Sequence, residues 1–174
     1  MIPAIYIDLD ETLIHSQDVR GDSIQEGEVV LDSLGGMVSA CRPRPLALTM
    51  LSDLRSIAPT CLLTSARRSY ALDVNRKLGF DFKPEEIIAR EDFLTKKISP
   101  GAFPISVPIA LNQSPRSILI DDLSFESAHL KTDYLGIPYK QYFQISAFYG
   151  VEDDEFFLEE WRCVLVKIRN LYQM

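Results

Sequence analysis

The chain lacks most of what a secreted, membrane-spanning or nucleic-acid-binding protein would show. Its three cysteines, Cys41, Cys61 and Cys163, are odd in number and far apart. They form no CxxC pair, and only His15 and His129 could join them, so neither a disulfide framework nor a zinc-ligand pattern is present. Three reduced thiols in an intracellular, cytoplasmic protein are expected. No apolar run approaches the length that spans a bilayer. The apolar start, residues 2–7, is too short for a secretory leader and runs straight into acid. Basic residues are outnumbered, with 18 Lys plus Arg against 25 Asp plus Glu and a formal net charge of −7. That balance argues against a nucleic-acid partner, and no Lys/Arg run reverses it locally. The chain has no internal repeat, low-complexity tract or linker.

What is present is a core. At 174 residues and 47% hydrophobic composition, the chain fits one domain, residues 1–174. Residues 2–9 read as a buried strand and 17–27 as a polar loop. EVVLDS and MVSACR flank Leu34-Gly35-Gly36, which predicts a β-hairpin flap at about 28–41. After the stiff Arg42-Pro43-Arg44-Pro45, the residues Leu46, Met50, Leu51, Leu54 and Ile57 share one helical face, and Pro59 ends that helix. Cys61-Leu62-Leu63 forms a strand finishing at Thr64-Ser65. A helix over 69–78 stops at Gly79. A helical turn and a short strand occupy 84–90. Residues 91–116, with Pro100, Pro104, Pro108 and Pro115, read as an irregular loop. Residues 117–120 form a third apolar strand, running into Asp121-Asp122. A helix at 125–130, a late strand at 139–143 and an amphipathic helix at 155–171 close the chain.

Strands alternating with helices predict an α/β fold, a mostly parallel sheet covered on both faces. Ligands bind such sheets at the carboxyl ends of the strands. Three of those ends are polar here: Asp8 to Thr12, Thr64-Ser65 and Asp121-Asp122. Carboxylates held close together repel, and a bound cation compensates most simply. Carboxylates, a carbonyl and water form the oxygen set that Mg²⁺ prefers. An EF-hand is excluded, because counting from Asp8 puts Leu13 at the required glycine and Val19 at the required glutamate. A Walker-type phosphate loop is absent.

DLDET, residues 8–12, resembles the DxDx[TV] first motif of the haloacid dehalogenase superfamily. The longer DLDETLIHS is similar to the signature of phosphatases acting on the RNA polymerase II C-terminal domain. The likeness continues in order through the hairpin, CRPRP, LLTSARRSYALDV and ILIDD. The resemblance implies a three-layer, Rossmann-like core with no large cap domain and a Mg²⁺-dependent phosphatase. Asp8 would be the nucleophile that becomes aspartyl-phosphate. Asp10 would be the general acid and base, with its main-chain carbonyl toward the metal. Thr64, Ser65 and a lysine, Lys97 or its neighbour Lys96, would hold the phosphoryl group. Asp8, Asp10, Asp121 and Asp122 would form the Mg²⁺ site.

Asp121-Asp122 departs from the Asp-Asn of the polymerase-directed phosphatases and is more like the wider superfamily. The substrate therefore stays open between a phosphoprotein or other bulky molecule and a small nucleotide or sugar phosphate. A phosphate-binding scaffold with little turnover is the non-enzymatic alternative. His15 has no task in this chemistry and reads as structural. Tyr70 and the aromatics of the last helix read as core. Arg42 and Arg44 fit either a buttress or a substrate contact, and Arg67 and Arg68 either an anion contact or a solvated face.

Overall fold

Ile-Tyr-Ile is suited to burial on both faces of a sheet, and Ile5–Ile7 finds it as β1. The computed structural model describes residues 4–19, 24, 26–32, 38–96, 105–108, 117–124, 141–150 and 154–173. After β1 come three antiparallel strands, β2 (Ile14–Val19), β3 (Val29–Asp32) and β4 (Val38–Pro43). Helix α1 (Ala47–Ile57) leads into β5 (Thr60–Leu63), and α2 (Arg68–Leu78) into the short β6 (Ile87–Ile88). Two further strands, β7 (Phe93–Lys96) and β8 (Ile105–Pro108), pair with each other. The described chain ends with β9 (Ile118–Asp121), β10 (Tyr142–Gln144) and α3 (Asp154–Gln173).

The central sheet has the order β10-β9-β1-β5-β6, and every pairing in it is parallel. From β1 the chain builds outward through β5 and β6, then returns to the other side for β9 and β10. The strand order therefore reverses beside β1, and the carboxyl ends of β1 and β9 flank the switch point where such sheets bind ligands.

Alternation along the strands divides the core. Ile5, Ile7, Leu62, Ile118, Ile120 and Phe143 face one side, where all three described helices pack. Tyr6, Leu63, Ile88, Leu119 and Tyr142 face the other, and they too are buried. On the first side α1 presents Met50, Leu51 and Leu54, while α3 presents Phe157, Trp161, Val164, Leu165 and Ile168. Trp161 Nε1 also donates to Asp53 Oδ2 at 3.0 Å, joining α3 to α1. Truncating one of these fully buried leucines costs about 2–5 kcal/mol. Gly79 ends α2 in the left-handed conformation (φ 67°), with its N–H donating to Asn75 O, a position that penalises any residue with a Cβ.

The α/β architecture stands, with local corrections. The first strand is shorter than 2–9. Residues 17–19, read as loop, belong to β2, which pairs with β4 from Ile14↔Pro43 to Val19↔Val38. An antiparallel sheet can expose one face, so Gln17 and Asp18 are tolerated in a strand. The hairpin is thus the β3–β4 half of a three-stranded sheet. Within the supposed irregular loop, β7 and β8 form a ladder in which Phe93 opposes Pro108. A two-stranded ribbon is all edge and admits proline, which hid the strand. In α3, Phe157 is buried while Phe156 is 63% exposed, so one of the aromatics read as core faces solvent. The helix read at 125–130 lies outside the described residues. Among those described, no helix is long and apolar enough to cross a membrane.

Candidate active site

The turn after β1 positions most of the site. Asp8 N–H donates to Ile120 O at 2.9 Å, fastening the tip of β1 to β9. Residues 9–14 then wind tightly, with Leu13 and Ile14 both donating to Leu9 O. Glu11 sits at φ 61°, left-handed for a residue with a Cβ, which costs about 1 kcal/mol or more. It is held there by its N–H to Ile14 O and by Phe148 N–H to its own carbonyl, each at 2.7 Å. His15 Nδ1 lies 2.9 Å from the Glu11 carboxylate, and its ring meets Tyr149 edge-on. The structural role read for His15 agrees with these contacts.

This turn sends successive side chains in different directions. Carboxylate oxygens of Asp8, Asp121 and Asp122 all lie within 4.8 Å of one another. Asp121, the last residue of β9, is only 1% exposed, and its Oδ1 accepts the Leu123 N–H at 3.0 Å. Thr12, fully buried, donates through Oγ1 to Asp122 Oδ1 at 3.3 Å. The crowding of negative charge registers on a neighbour: burial, then the charges of Asp121, Asp122 and Asp8, push the Tyr142 phenol well above its ordinary range. Such a set of hard oxygen donors can hold a divalent cation.

The Asp10 carboxylate is not part of that group. Ser16 Oγ and the Tyr70 hydroxyl donate to its Oδ1 at 3.2 and 3.0 Å. Thr64 Oγ1 reaches Oδ2 at 3.5 Å, while accepting the Ala66 N–H at 3.0 Å. Burial raises the Asp10 pKa; the hydroxyls of Tyr70, Ser16 and Thr64 oppose that rise, and the Asp122 charge adds to it. The phenol of Tyr70 is driven upward by its own burial and by the Asp10 charge.

The structure therefore brings Asp8, Asp121 and Asp122 together and sets Thr64 against Asp10. Ser65 follows at the exposed tip of β5, its carbonyl accepting from Arg90 Nε at 2.8 Å. Lys97 lies outside the described residues, and Lys96 closes β7. The sequence reading missed Tyr70 and Ser16 as site neighbours, and it placed Thr12 at a polar strand end without a role. Tyr70 is a site contact more than core filler. Its only sequence signal was its place in the first turn of the helix after Thr64. Ser16 closes the DLDETLIHS signature, which gave it no role of its own.

The open arginines also find places. Arg44 is 1% exposed, with its guanidinium 4.0 Å from the Phe157 ring centroid, and it donates to Ser146 O. It is a buttress between β4 and α3. Arg42 donates to Gly150 O and Glu26 O, and Arg68 pairs with Asp92.

Comparison with known proteins bears on the fold and the family. The chain is similar to fission yeast RNA polymerase II CTD phosphatase Fcp1, in an Arg-to-Ala form bound to beryllium fluoride. That match has a TM-score of 0.55 and 14% identity over 99% of this chain and 53% of that one. A second structure, of Fcp1 as an essential RNA polymerase II CTD phosphatase, gives a TM-score of 0.56 and 16% identity over 98% of this chain and 49% of that one. The chain thus spans about half the length of either, and likeness at this identity speaks to the fold. No curated protein matches it. The family model of NLI interacting factor-like phosphatases matches residues 3–169, nearly the whole length, and the chain belongs to that family.

Proposed function

We propose that the protein is a Mg²⁺-dependent phosphomonoester hydrolase working through an aspartyl-phosphate on Asp8, with a phosphoprotein or similarly bulky molecule as substrate. The observation that carries this reading is the meeting of Asp8, Asp121 and Asp122 within 4.8 Å at the switch point of the sheet. The donors are all hard oxygens, one of them buried, which suits Mg²⁺ better than a softer metal. Asp8, Asp121 and Asp122, with the main-chain carbonyl of Asp10, would hold it. Bound there, Mg²⁺ supplies positive charge against the transferring phosphoryl group, where most phosphoryl-transfer catalysis resides.

The remaining work belongs to the chain's own residues. In the first step an Asp8 oxygen bonds to phosphorus, the bond to the leaving oxygen breaks, and Asp10 gives that oxygen its proton. In the second, the Asp10 carboxylate takes a proton from water. The water oxygen bonds to phosphorus, the bond to Asp8 breaks, and inorganic phosphate leaves with both carboxyl groups restored. Proton transfer of this kind contributes about 10²–10⁴ in rate. Thr64, Ser65 and Lys97 hold the phosphoryl oxygens.

Residues 1–174 act as one haloacid-dehalogenase-like domain without a large cap, with β2–β4 as the flap. An open rim of that kind admits a large substrate, and the Fcp1 structures are those of CTD phosphatases. A cytoplasmic setting suits Cys41, Cys61 and Cys163, all of them free thiols. The test is phosphate release from phosphopeptides, nucleotides and sugar phosphates, with Mg²⁺ and with a chelator. Mg²⁺-dependent release, fastest from phosphopeptides, is expected. Release that survives chelation overturns the metal assignment. Preference for a nucleotide or sugar phosphate overturns the substrate class, and no release even from an aryl phosphate points to a scaffold.

A further inference from the structure

Asp10 is gripped from outside its own segment. Its Oδ1 accepts two hydroxyl hydrogen bonds, from Ser16 on β2 at 3.2 Å and from Tyr70 on α2 at 3.0 Å. Among the described residues, its Oδ2 has a single, longer contact, 3.5 Å from Thr64 Oγ1 at the tip of β5. The two oxygens of one carboxyl group are therefore unequal. Two donors already occupy Oδ1, whereas the contact at Oδ2 sits at the outer limit of a hydrogen bond.

From this geometry we infer that Tyr70 and Ser16 are positioning residues for the proposed phosphatase reaction: they pin Asp10 Oδ1, so that Oδ2, on the Thr64 side, carries the proton given to the leaving group. The inference rests on Asp10 being the general acid. Its physical basis is rotamer selection. An Asp side chain has three staggered wells about χ1 and a broad χ2, and proton delivery needs one narrow orientation. Donors on β2 and α2 hold that orientation from two directions. Tyr70 also shares α2 with Lys77, whose Nζ donates to Val30 O of β3 at 2.7 Å. One helix thus braces the acid and the antiparallel sheet together.

Leaving groups separate a positioning role from a merely structural one. An alkyl phosphate expels a strongly basic alkoxide and needs the proton, whereas para-nitrophenyl phosphate expels a weakly basic phenolate and hardly needs it. The readout is kcat/KM, which reports the first chemical step, for both substrates with Tyr70→Phe, Ser16→Ala, Ser16→Thr and Asp10→Asn. Tyr70→Phe is expected to lower kcat/KM for the alkyl ester by about 10- to 100-fold. Its loss on the para-nitrophenyl ester should be several-fold smaller. Ser16→Ala should show the same selectivity more weakly, and Ser16→Thr, which keeps the hydroxyl, should restore it. Equal losses on both esters in Tyr70→Phe and Ser16→Ala would overturn the positioning role while Asp10→Asn remained leaving-group-selective. If Asp10→Asn itself shows no selectivity, the acid assignment fails and the inference falls with it.

Discussion

Asp8 and Asp10 leave the same strand tip two residues apart, and their carboxylates have opposite company. Asp8 stands with Asp121 and Asp122, a group of like charges within 4.8 Å of one another. Asp10 stands among hydroxyls from Ser16, Tyr70 and Thr64. In the first setting like charges crowd together, and a bound cation would relieve their repulsion. In the second, burial favours the protonated form while hydrogen bonds moderate it. In the proposed mechanism these unlike surroundings would let one carboxyl group serve as nucleophile and its neighbour as acid. The left-handed Glu11 between Asp10 and Thr12 marks where the chain changes direction to make this separation.

The largest effect is expected from Asp8→Asn. It should abolish phosphate release while leaving the circular dichroism spectrum unchanged, since it removes one of three crowded charges. Appreciable turnover would strip Asp8 of its role, and beryllium fluoride with Mg²⁺ bonded elsewhere than Asp8 in a crystal would do the same. Next is Asp10→Asn, expected to slow turnover by about 10²–10⁴ and to let phosphoenzyme accumulate. Unchanged single-turnover kinetics for both steps would place the proton elsewhere.

Third comes Asp121→Asn, which tests the carboxylate cluster without relying on activity. Removing the charge of the buried Asp121 from the cluster should raise the melting temperature in chelator, because like-charge repulsion is relieved. The same change should shrink the further rise that Mg²⁺ gives the unaltered protein, since a ligand stabilises only the state that binds it. An equal Mg²⁺-dependent rise in both proteins would show that Asp121 does not hold the ion.

The smallest expected effect is a control away from both sets. Gly79→Ala, at φ 67°, has room for its Cβ but the wrong backbone conformation. It should cost about 1 kcal/mol, or roughly 2–4 °C of melting temperature for a domain of this size. The response to Mg²⁺ should not change. A lost response would mean that the acidic cluster reports global stability rather than local charge.

Much of this was legible from residue order. Ile5, Leu62 and Ile118 announced buried parallel strands because both sides of such a strand exclude water, and acid or threonine at their ends marked the rim. Periodicity found Met50, Leu51 and Leu54, and Gly79 ended α2 as read. Other features had no local signal. β2 is polar because one face of an antiparallel sheet can be wet, and the β7–β8 ladder lay among prolines that an edge ribbon tolerates. Phe156 and Phe157 are adjacent and chemically alike, and only the rotation of α3 against α1 buries one and exposes the other.

The primary structure alone determined which groups could react: a carboxylate-tipped strand, a threonine-tipped strand and a second acidic tip, in the order that one protein family uses. The tertiary structure decided the partnerships. It put Asp121 beside Asp8 across the switch point and brought Ser16 and Tyr70, from two different elements, onto one oxygen of Asp10. Composition and spacing act along the chain, whereas the surroundings that charge or protonate a carboxyl group are assembled from residues 54 to 114 positions away or from a strand whose pairing is itself long-range.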